Sequence, residues 1–456
     1  MKPVKFEITT IEETLVTHSG LALVGALLGR TGIAKRANAM ALPAKPRPGT
    51  KHSDILLAMI GLLCVGKSDF ADIEAFREDE FFRRTLGLDQ VPSEPTLRQR
   101  LAELGDAPLE FLLEESADMV ARHAPKLTPC HKDWVALDAD VSPFDNSNTK
   151  KEGVGCTYKM VDGYAPIFAY LGGEGYLTNL ELRVGTQHCQ QGTPDFLRRT
   201  IGLARRITDA KLLVRLDSGN DAEDTLETLR HEKADFIVKH NLRRESQAEW
   251  LLDAQCFGEW REPREGKRVY VGDTDRICGE RLWRVVFEVT ERTTTATGQM
   301  LLAPEIEIAS YWTSLGPRQA TPDEVIQLYR DHGTSEQFHS EVKTDLDLER
   351  LPSGKFAVNA LVLTCGLMAY NVLRLIGQNA LKEDRNLPPQ ERMPIRKSVQ
   401  RRRLRSVIQD LMYLACRFVR HARRWRLGLA QANPWGGAWR ATYRRLLTPN
   451  SIPAGG

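Results

Sequence analysis

Residues 133–142, DWVALDADVS, decide the fold of this 456-residue chain. Apolar residues alternate with a second set that ends in two acids, Asp138 and Asp140. A period of two is typical of a β-strand, and it places both carboxylates on the same face of a sheet. The stretch therefore predicts a strand with acids near its carboxyl end.

Further strands and helices come after this strand. GYAPIFAYLGG and GYLTNLELRVG predict two more strands joined by a Gly-rich turn, and after them helical and extended patterns alternate in TPDFLRRTIGLARRI, AKLLVRLDSGN, DAEDTLETLRHE and ADFIVKH. Three meandering strands followed by alternating helices and strands predict an α/β fold with a mixed sheet and flanking helices. The strand predicted in AKLLVRLDSGN ends in Asp217, which adjacent strands would bring beside Asp138 or Asp140.

A long helix is predicted after a region, His240 to Glu307, that is rich in Arg, Glu and Thr and predicts an antiparallel β insertion. The helix spans TPDEVIQLYRDHGTSEQFHSEVKTDLDLER. Seven residues are nearly two helical turns, so three side chains at that spacing share one stripe, with His332 beside it. The three are Tyr329, Glu336 and Lys343. A polar stripe in this place indicates function rather than packing.

Three acids in this element order suit a metal site: Asp138 or Asp140, Asp217 and Glu336. A single aspartate at a strand end more often caps or is solvated. Carboxylate oxygens are hard ligands suited to Mg²⁺ or Mn²⁺, and two such ions about 3.5–4 Å apart can activate an attacking oxygen and stabilise a leaving oxygen in phosphoryl transfer. The set therefore points to metal-dependent phosphoryl transfer.

Two basic segments point to a polyanionic partner. In VPSEPTLRQRLAEL, a predicted short helix, Arg98 and Arg100 project as in helix-turn-helix proteins, although an ordinary helical bundle is the alternative. Residues 392–426 are strongly basic and include Arg401, Arg402 and Arg403, and we expect a helix here that contacts phosphates.

The eight cysteines never occur at CxxC spacing, which indicates a reducing compartment without a zinc site or disulfides. The N-terminus lacks the early apolar block of a signal peptide. The apolar runs SDILLAMIGLLCVG and NALVLTCGLMAYNVLRLIG are better explained as buried core helices than as membrane spans. We therefore expect a cytoplasmic protein that does not enter a membrane.

The motifs LDADVS, RLDSGN and YRDHGTSEQFHSEVK together resemble the DDE transposases of bacterial insertion sequences, most closely the group called transposase DDE domain group 1. That branch shows Tyr, Arg, the catalytic Glu and Lys in order. Tyr329, Glu336 and Lys343 match in type and spacing, whereas His332 stands where the family usually has Arg, with Arg330 close by. The resemblance spans roughly residues 50–430 and rests on the combined pattern, because each motif alone is weak.

The resemblance implies a ribonuclease-H-like catalytic domain interrupted by a β insertion. It divides the chain into a helical N-terminal region for DNA binding or dimerisation (1–125), the first part of the catalytic domain (126–241), the insertion (242–305), the second part (306–380) and a basic helical C-terminal region (381–456). It also implies an enzyme that cleaves and joins DNA, with two Mg²⁺ or Mn²⁺ ions per active site. Its partners would be double-stranded DNA, at transposon ends and target, and a second copy of the chain in a homodimer on DNA.

The resemblance also assigns residues. In the family a Ser or Thr commonly follows the first acid closely, which favours Asp140, with Ser142 after it, over Asp138. The implied metal ligands are Asp140, Asp217 and Glu336. The implied DNA-binding residues are Tyr329, Arg330, His332, Lys343, Arg98, Arg100, Arg401, Arg402 and Arg403. Two alternatives remain: an inactive DNA-binding regulator derived from such an enzyme, and a nuclease without strand transfer.

Overall fold

The computed structural model describes residues 3–10, 12–41, 49–124, 126–243 and 245–448. These residues belong to two compact units. One unit comprises residues 1–104 and 372–456, and the other comprises residues 105–371. The N-terminal and C-terminal regions of the chain thus belong to the same unit.

The first unit begins with one short strand and five helices. They are β1 (Leu15–Val16), α1 (Leu21–Leu28), α2 (Ile33–Ala39), α3 (His52–Cys64), α4 (Glu80–Thr85) and α5 (Glu94–Leu104), with a 3₁₀ helix at Phe70–Phe76. The side chain of Asp79 accepts a hydrogen bond from the backbone N–H of Phe82 at 2.9 Å, which caps α4. Every residue of α3 is buried, as expected for a core helix.

The second unit contains most of the strands. Its elements before α12 are α6 (Leu109–His123), β2 (Trp134–Val141), β3 (Phe144–Asp145), β4 (Gly155–Cys156), β5 (Asp162–Tyr164), β6 (Ile167–Leu171), β7 (Tyr176–Glu181), α7 (Thr193–Ile207), β8 (Lys211–Leu216), α8 (Glu223–His231), β9 (Asp235–Lys239), α9 (Gln247–Phe257), β10 (Gly258–Arg264), β11 (Lys267–Cys278), β12 (Arg281–Thr294), β13 (Met300–Thr313), α10 (Pro322–Arg330) and α11 (Ser335–Ser340). The strands and helices predicted from Trp134 to Lys239 are confirmed.

A nine-stranded mixed sheet organises this unit, in the order β10-β11-β12-β13-β9-β8-β2-β6-β7. The strands β2, β6 and β7 form an antiparallel meander, and β8 and β9 join β2 in parallel. The strands β10 to β13 are antiparallel to one another, and β13 pairs with β9. The predicted β insertion therefore extends the central sheet itself.

The two faces of the sheet have different cores. On one face Leu137 and Val214 pack in a cluster with residues of α7 such as Phe196. On the other face Leu213 packs in a cluster with residues of α10 such as Leu328. Side chains alternate along a strand. Asp138 and Asp140 of β2, and Asp217 after β8, therefore point toward the face that α10 covers.

The helix α12 (Phe356–Asp384) passes from the second unit into the first. Among the described residues it is the one helix long and apolar enough to cross a membrane, and 83% of its most apolar window is buried inside the structure. A core helix has these properties. Within the second unit, Asn371 accepts a hydrogen bond from the Leu177 backbone N–H at 2.9 Å and donates one to the Leu177 carbonyl at 2.7 Å.

The remaining elements correct the expectation of a helical C-terminal region. They are α13 (Leu404–Val407), β14 (Cys416–His421), β15 (Arg424–Leu429) and α14 (Gly436–Leu447). Within the basic stretch that was expected to be helical, residues 416–426 belong instead to an antiparallel hairpin in the sheet β1-β14-β15. The reason is that Cys416 and Phe418 are buried while Arg417 between them is exposed, the alternation of a strand.

Candidate active site

Asp140 and Asp217 lie at the carboxyl ends of adjacent parallel strands. The last register pair of β2 and β8 is Ala139 with Leu216, and each aspartate is the next residue. Neighbouring strands are about 4.8 Å apart, so the two carboxylates share one corner of the sheet. The Asp140 side chain is 27% exposed, which leaves its oxygens accessible.

Asp138 is in a different environment, although it shares a face with Asp140. It is 2% exposed, and Arg215 donates two hydrogen bonds to its two carboxylate oxygens, at 2.6 and 2.7 Å. Burial alone would raise the pKa of Asp138, but the charges of Arg215 and His332 outweigh burial and lower the pKa to about 2. Asp138 is therefore a permanently charged, fully paired acid.

His332 and Arg215 connect this acid to the helix above it. His332 is buried, and its Nδ1 lies 3.1 Å from Oδ1 of Asp138 in an ion-pair contact that is not an aligned hydrogen bond. Arg215 also donates a hydrogen bond of 2.5 Å to the carbonyl of Leu328 in α10. Burial lowers the pKa of His332, but the Asp138 charge outweighs it, so the net pKa is raised. His332 was expected to contact DNA. Instead it is buried and forms an ion pair with Asp138.

The electrostatics of Asp217 differ from those of Asp138. Burial, followed by the nearby charge of Asp140, raises the pKa of Asp217 above its usual range. Asn220 donates a hydrogen bond of 2.7 Å to one of its oxygens, which opposes the shift only in part. A cation at this corner would stabilise the charged form of Asp217.

Two tyrosines border the acidic pair. Tyr329 packs against Tyr311 with 4.7 Å between ring centroids, and burial, followed by the charge of Asp217, raises the pKa of its hydroxyl. Tyr158 donates a hydrogen bond of 3.1 Å to the Val141 carbonyl. Burial of its hydroxyl, followed by the charges of Asp140 and Asp217, raises the pKa of Tyr158 to about 12. Sequence reasoning missed Tyr158, which lies in the loop between β4 and β5.

His339 was also missed. Its Nε2 lies 3.5 Å from Oδ2 of Asp140, and its Nδ1 shares a hydrogen bond of 3.2 Å with the hydroxyl of Tyr170. The side chain is buried between Phe168 and Tyr170. The only sequence signal was its position, seven residues after His332, since both histidines then contact acids of β2.

Lys343 reaches the same corner from the end of the helical segment. Its Nζ donates a hydrogen bond of 2.6 Å to the Pro143 carbonyl and lies 3.9 Å from Oε1 of Glu349. Burial lowers the pKa of Lys343 below its usual value, against the raising effects of Glu349 and Asp140. It supplies a positive charge beside Asp140.

Glu336 forms no metal-binding group with Asp140 and Asp217 among the described residues. The predicted helical segment is present from Pro322 to Asp345, but its winding is not uniform. The helix α10 is followed by a 3₁₀ turn at Asp331–Thr334, then by α11, then by a π-helical turn at Glu341–Asp345. A 3₁₀ turn advances about 20° more per residue than an α-helix, so four residues rotate the side chains of α11 by about 80° about the helix axis. Glu336 is exposed.

No group of three or more metal-binding side chains is assembled within the part of the chain that the structure describes. The two carboxylates that do meet, Asp140 and Asp217, have the hard oxygens that Mg²⁺ and Mn²⁺ prefer. The raised pKa of Asp217 means that its charged form is unfavourable here, and a divalent cation at this corner would stabilise that charged form. The donor set fits such an ion in chemistry, with its third acid displaced.

Three arginines that were expected to bind DNA have protein partners. Arg98 is exposed, donates a hydrogen bond of 2.6 Å to Glu94 and covers the Phe70 ring. Arg330 forms an ion pair with Glu288 at 2.6 Å. Arg100 is buried and pairs with Glu103, so its expected projection from α5 is corrected by that ion pair.

The three arginines before α13 differ in how deeply they are buried. Arg402 is 6% exposed, pairs with Asp410 and packs its guanidinium 4.8 Å from the Trp435 ring centroid. Arg401 and Arg403 are more exposed. Arg402 was expected to contact phosphates, but its burial prevents this in the structure. Arg401 and Arg403 remain accessible to solvent.

An acidic corner on a mixed sheet, approached by a helical segment with Tyr329 and Lys343, is an arrangement of the DDE transposase class. The chain belongs to the family described as transposase DDE domain group 1, whose pattern matches residues 4–450. A solved structure described as a piggyBac transposase synaptic complex with hairpin DNA is similar at 10% identity and a TM-score of 0.41, covering 87% of this chain and 80% of that chain. A comparison with curated proteins gives no match.

Proposed function

We propose that this protein is a DNA transposase that binds the terminal inverted repeats of a bacterial insertion sequence and carries out metal-dependent strand cleavage and strand transfer. The observation that carries the proposal is the juxtaposition of Asp140 and Asp217 at the ends of two parallel strands. Family membership gives this juxtaposition its chemical meaning. The protein acts in the cytoplasm, and because two ends must be joined, it works as a homodimer on DNA.

The strand order supports a ribonuclease-H-like catalytic domain. In the sheet, β7, β6, β2, β8 and β9 are neighbours in that order, with the meander β2-β6-β7 antiparallel and β8 and β9 parallel to β2. In such an open sheet, functional side chains gather at the carboxyl ends of the parallel strands. The proposed catalytic acids come directly after two of those strands.

Asp140 and Asp217 would hold two Mg²⁺ or Mn²⁺ ions, with Glu336 as the third proposed ligand. Divalent ions at such a site supply activation of the attacking oxygen and charge stabilisation of the leaving oxygen. Arg215 and His332 form ion pairs with Asp138, so Asp138 does not compete with Asp140 for the ions. Tyr329 and Lys343 border the acids and are proposed to contact the DNA backbone.

The experiment is a gel assay of nicking and strand joining on a duplex that contains a transposon end, beside a binding assay on the same duplex. Asp217→Asn and Glu336→Gln keep shape and hydrogen-bonding capacity and remove one negative charge each. Cleavage should fall by about three orders of magnitude or more, since each ion supplies several kcal/mol of transition-state stabilisation. Binding should persist, because the proposed contacts with the DNA backbone are made by other side chains, such as Tyr329 and Lys343.

The matched control is Asp209→Asn, the same change at an exposed acid in the loop before β8. It should cleave and join like the parent. Near-normal cleavage by Asp217→Asn would remove Asp217 from the active site and contradict the proposal. Cleavage without any joined product would instead identify a nuclease, and binding without cleavage by the parent in Mg²⁺ and Mn²⁺ would identify a regulator.

A further inference from the structure

The hairpin of β14 and β15 extends beyond the sheet that carries it. The strand β1 pairs with β14 at Cys416 and Arg417, and the backbone N–H of Phe418 donates a hydrogen bond to the Thr14 carbonyl at 2.9 Å. Beyond them the hairpin continues with three outer cross-strand pairs: Val419 with Arg426, Arg420 with Trp425, and His421 with Arg424. At about 3.4 Å per residue, this two-stranded tip, residues 419–426, is about 10 Å long.

Aromatic packing holds the base of the tip in place. Phe418 is buried, stacks on Trp425 at 4.7 Å between ring centroids and meets Phe81 edge to face at 5.2 Å. The guanidinium of Arg84 lies 4.5 Å from the Trp425 ring centroid. The tip is therefore mounted on a fixed base within its own unit, which makes it a preorganised surface.

The tip carries positive charge without compensation. Residues 416–429 contain five arginines and no acid. Arg417, at the base, pairs with Glu13 at 3.0 Å. Across the described ranges, four arginines make no ion pair with a carboxylate: Arg420, Arg423, Arg424 and Arg426. Four like charges on so short a ribbon repel one another, and a polyanion is the partner that relieves the repulsion.

The turn at the end of the tip is unusual for its residues. Ala422 has a φ of 47° and Arg423 a φ of 63°, so both turn residues are left-handed. Two-residue hairpin turns of this kind favour Asn-Gly, because glycine adopts positive φ without steric cost. This chain has an arginine where folding alone favours glycine. An unfavourable backbone conformation that retains a charged side chain indicates a contact with a ligand.

We propose that the tip, residues 419–426, inserts into the major groove of duplex DNA as a two-stranded ribbon. The major groove is about 12 Å wide and 8.5 Å deep and admits such a ribbon, whereas the minor groove, about 6 Å wide, is too narrow for two strands. The arginines at the tip can donate to the O6 and N7 atoms of guanine and to the flanking phosphates. This inference rests on the proposed function and adds to it a contact between the tip, residues 419–426, and the major groove of DNA.

The test uses the full chain and a fluorescent duplex of mixed sequence. Arg423→Gly removes the charge at the turn and relaxes its backbone, so it should bind about five- to tenfold more weakly while its melting temperature stays the same or rises. The matched control, Ala422→Gly, relaxes the same turn and keeps every charge. It should bind like the parent.

Methylation interference identifies the groove. Methylating guanine N7, which lies in the major groove, should weaken binding by the parent more than binding by Arg423→Gly. Interference at adenine N3 instead would place the contact in the minor groove and overturn the inference. Equal binding by Arg423→Gly and the parent, or equal weakening by both glycine variants, would also overturn it.

Failure of this inference differs from failure of the proposed function. If the parent nicks and joins DNA while Arg423→Gly binds as tightly as the parent, the ribbon contact is wrong and the transposase proposal stands. If the parent shows N7 interference that depends on Arg423 but nicks no duplex in Mg²⁺ or Mn²⁺, the ribbon contact stands and the proposed activity is wrong.

Discussion

Arg215 donates two hydrogen bonds to Asp138, and the side chains of both residues are less than 5% exposed. The pair divides the two acids of β2 into different roles. Asp138 is neutralised by a partner on the neighbouring strand, and Asp140, two residues on, points to the corner shared with Asp217. This contrast supports Asp140, rather than Asp138, as the proposed metal ligand of LDADVS.

Asp138→Asn should destabilise the protein by about 3–5 kcal/mol, because it leaves buried cations on Arg215 and His332 without their counter-charge. Asp140→Asn should change the free energy of unfolding by less than about 1 kcal/mol, because Asp140 is partly exposed. Urea unfolding of both variants without metal measures the contrast. Replacing Asp138 with Leu and Arg215 with Met together should cost less than Asp138→Asn alone, and equal losses from the two single variants would refute the assignment.

The contribution of His332 to stability should depend on pH. Its folded-state pKa is raised above the ordinary 6.5 by Asp138, against the lowering effect of burial. A group whose pKa is raised on folding stabilises fully below its unfolded pKa, and the contribution is lost as the pH rises through the folded value. The difference in unfolding free energy between the parent and His332→Gln should therefore shrink above about pH 6.5. Denaturant unfolding of both proteins from acidic to alkaline pH measures it, and a difference that grew with pH would contradict the ion pair.

Asp217→Asn should raise the melting temperature of the metal-free protein slightly at neutral pH, by about 1–2 °C. Burial and the charge of Asp140 raise the pKa of Asp217, so keeping it ionised at neutral pH costs free energy that the amide avoids. Adding Mg²⁺ or Mn²⁺ should stabilise the parent and not the variant. Thermal unfolding with and without the ions measures both effects, and an equal response of the two proteins to metal would exclude Asp217 as a ligand.

His339 should act as a positioning residue for Asp140. His339→Leu removes the contact with Asp140 and the hydrogen bond to Tyr170, and should lower kcat for cleavage about ten- to a hundredfold with little change in KM for DNA. Tyr170→Phe removes only the hydroxyl and should have a smaller effect. Steady-state nicking assays separate the two parameters. A purely structural role would instead lower the amount of folded enzyme and leave kcat per active molecule unchanged.

Ca²⁺ should support DNA binding and not cleavage. It tolerates more ligands and looser geometry than in-line phosphoryl transfer permits, whereas Mg²⁺ and Mn²⁺ impose a tighter arrangement. Parallel binding and nicking assays in the three ions give the comparison. Full cleavage in Ca²⁺ alone, or in a chelator, would contradict the proposed metal mechanism.

The sheet was predictable because its strands carry their own pattern. The alternation in DWVALDADVS predicted which of its side chains share a face, and AKLLVRLDSGN predicted a buried strand that ends in Asp217. The parallel pairing of the two strands places Asp217 beside Asp140. Arg215, two residues before Asp217, was visible on the same face but not recognised as the partner of Asp138. The register of β2 with β8, which pairs these two residues, depends on contacts between distant parts of the chain.

Other features depend on packing that a local pattern does not contain. The basic stretch CRFVRHARRWRLGL has the arginine content of an exposed helix, and only burial of Phe418 against Phe81 reveals it as a hairpin. Likewise, a spacing of seven in YRDHGTSEQFHSEVK predicts one stripe only if the winding is uniform. The 3₁₀ and π-helical turns break that uniformity, so the histidines rather than Glu336 contact the acids of β2.

The 3₁₀ turn at Asp331–Thr334 has a consequence for when the protein can cut. In a uniform α-helix Glu336 would lie on the same face as Tyr329. The Tyr329 hydroxyl is close enough to Asp140 and Asp217 for their charges to raise its pKa. A change in the winding of this single turn would therefore turn Glu336, the proposed third ligand, toward the side of Tyr329. If transposon-end DNA and metal drive that change, the proposed third ligand would join Asp140 and Asp217 only in the complex with end DNA, and cutting elsewhere would be suppressed. Hydrogen exchange at residues 331–336 that is the same with and without an end-containing duplex and Mg²⁺ would rule out such a safeguard.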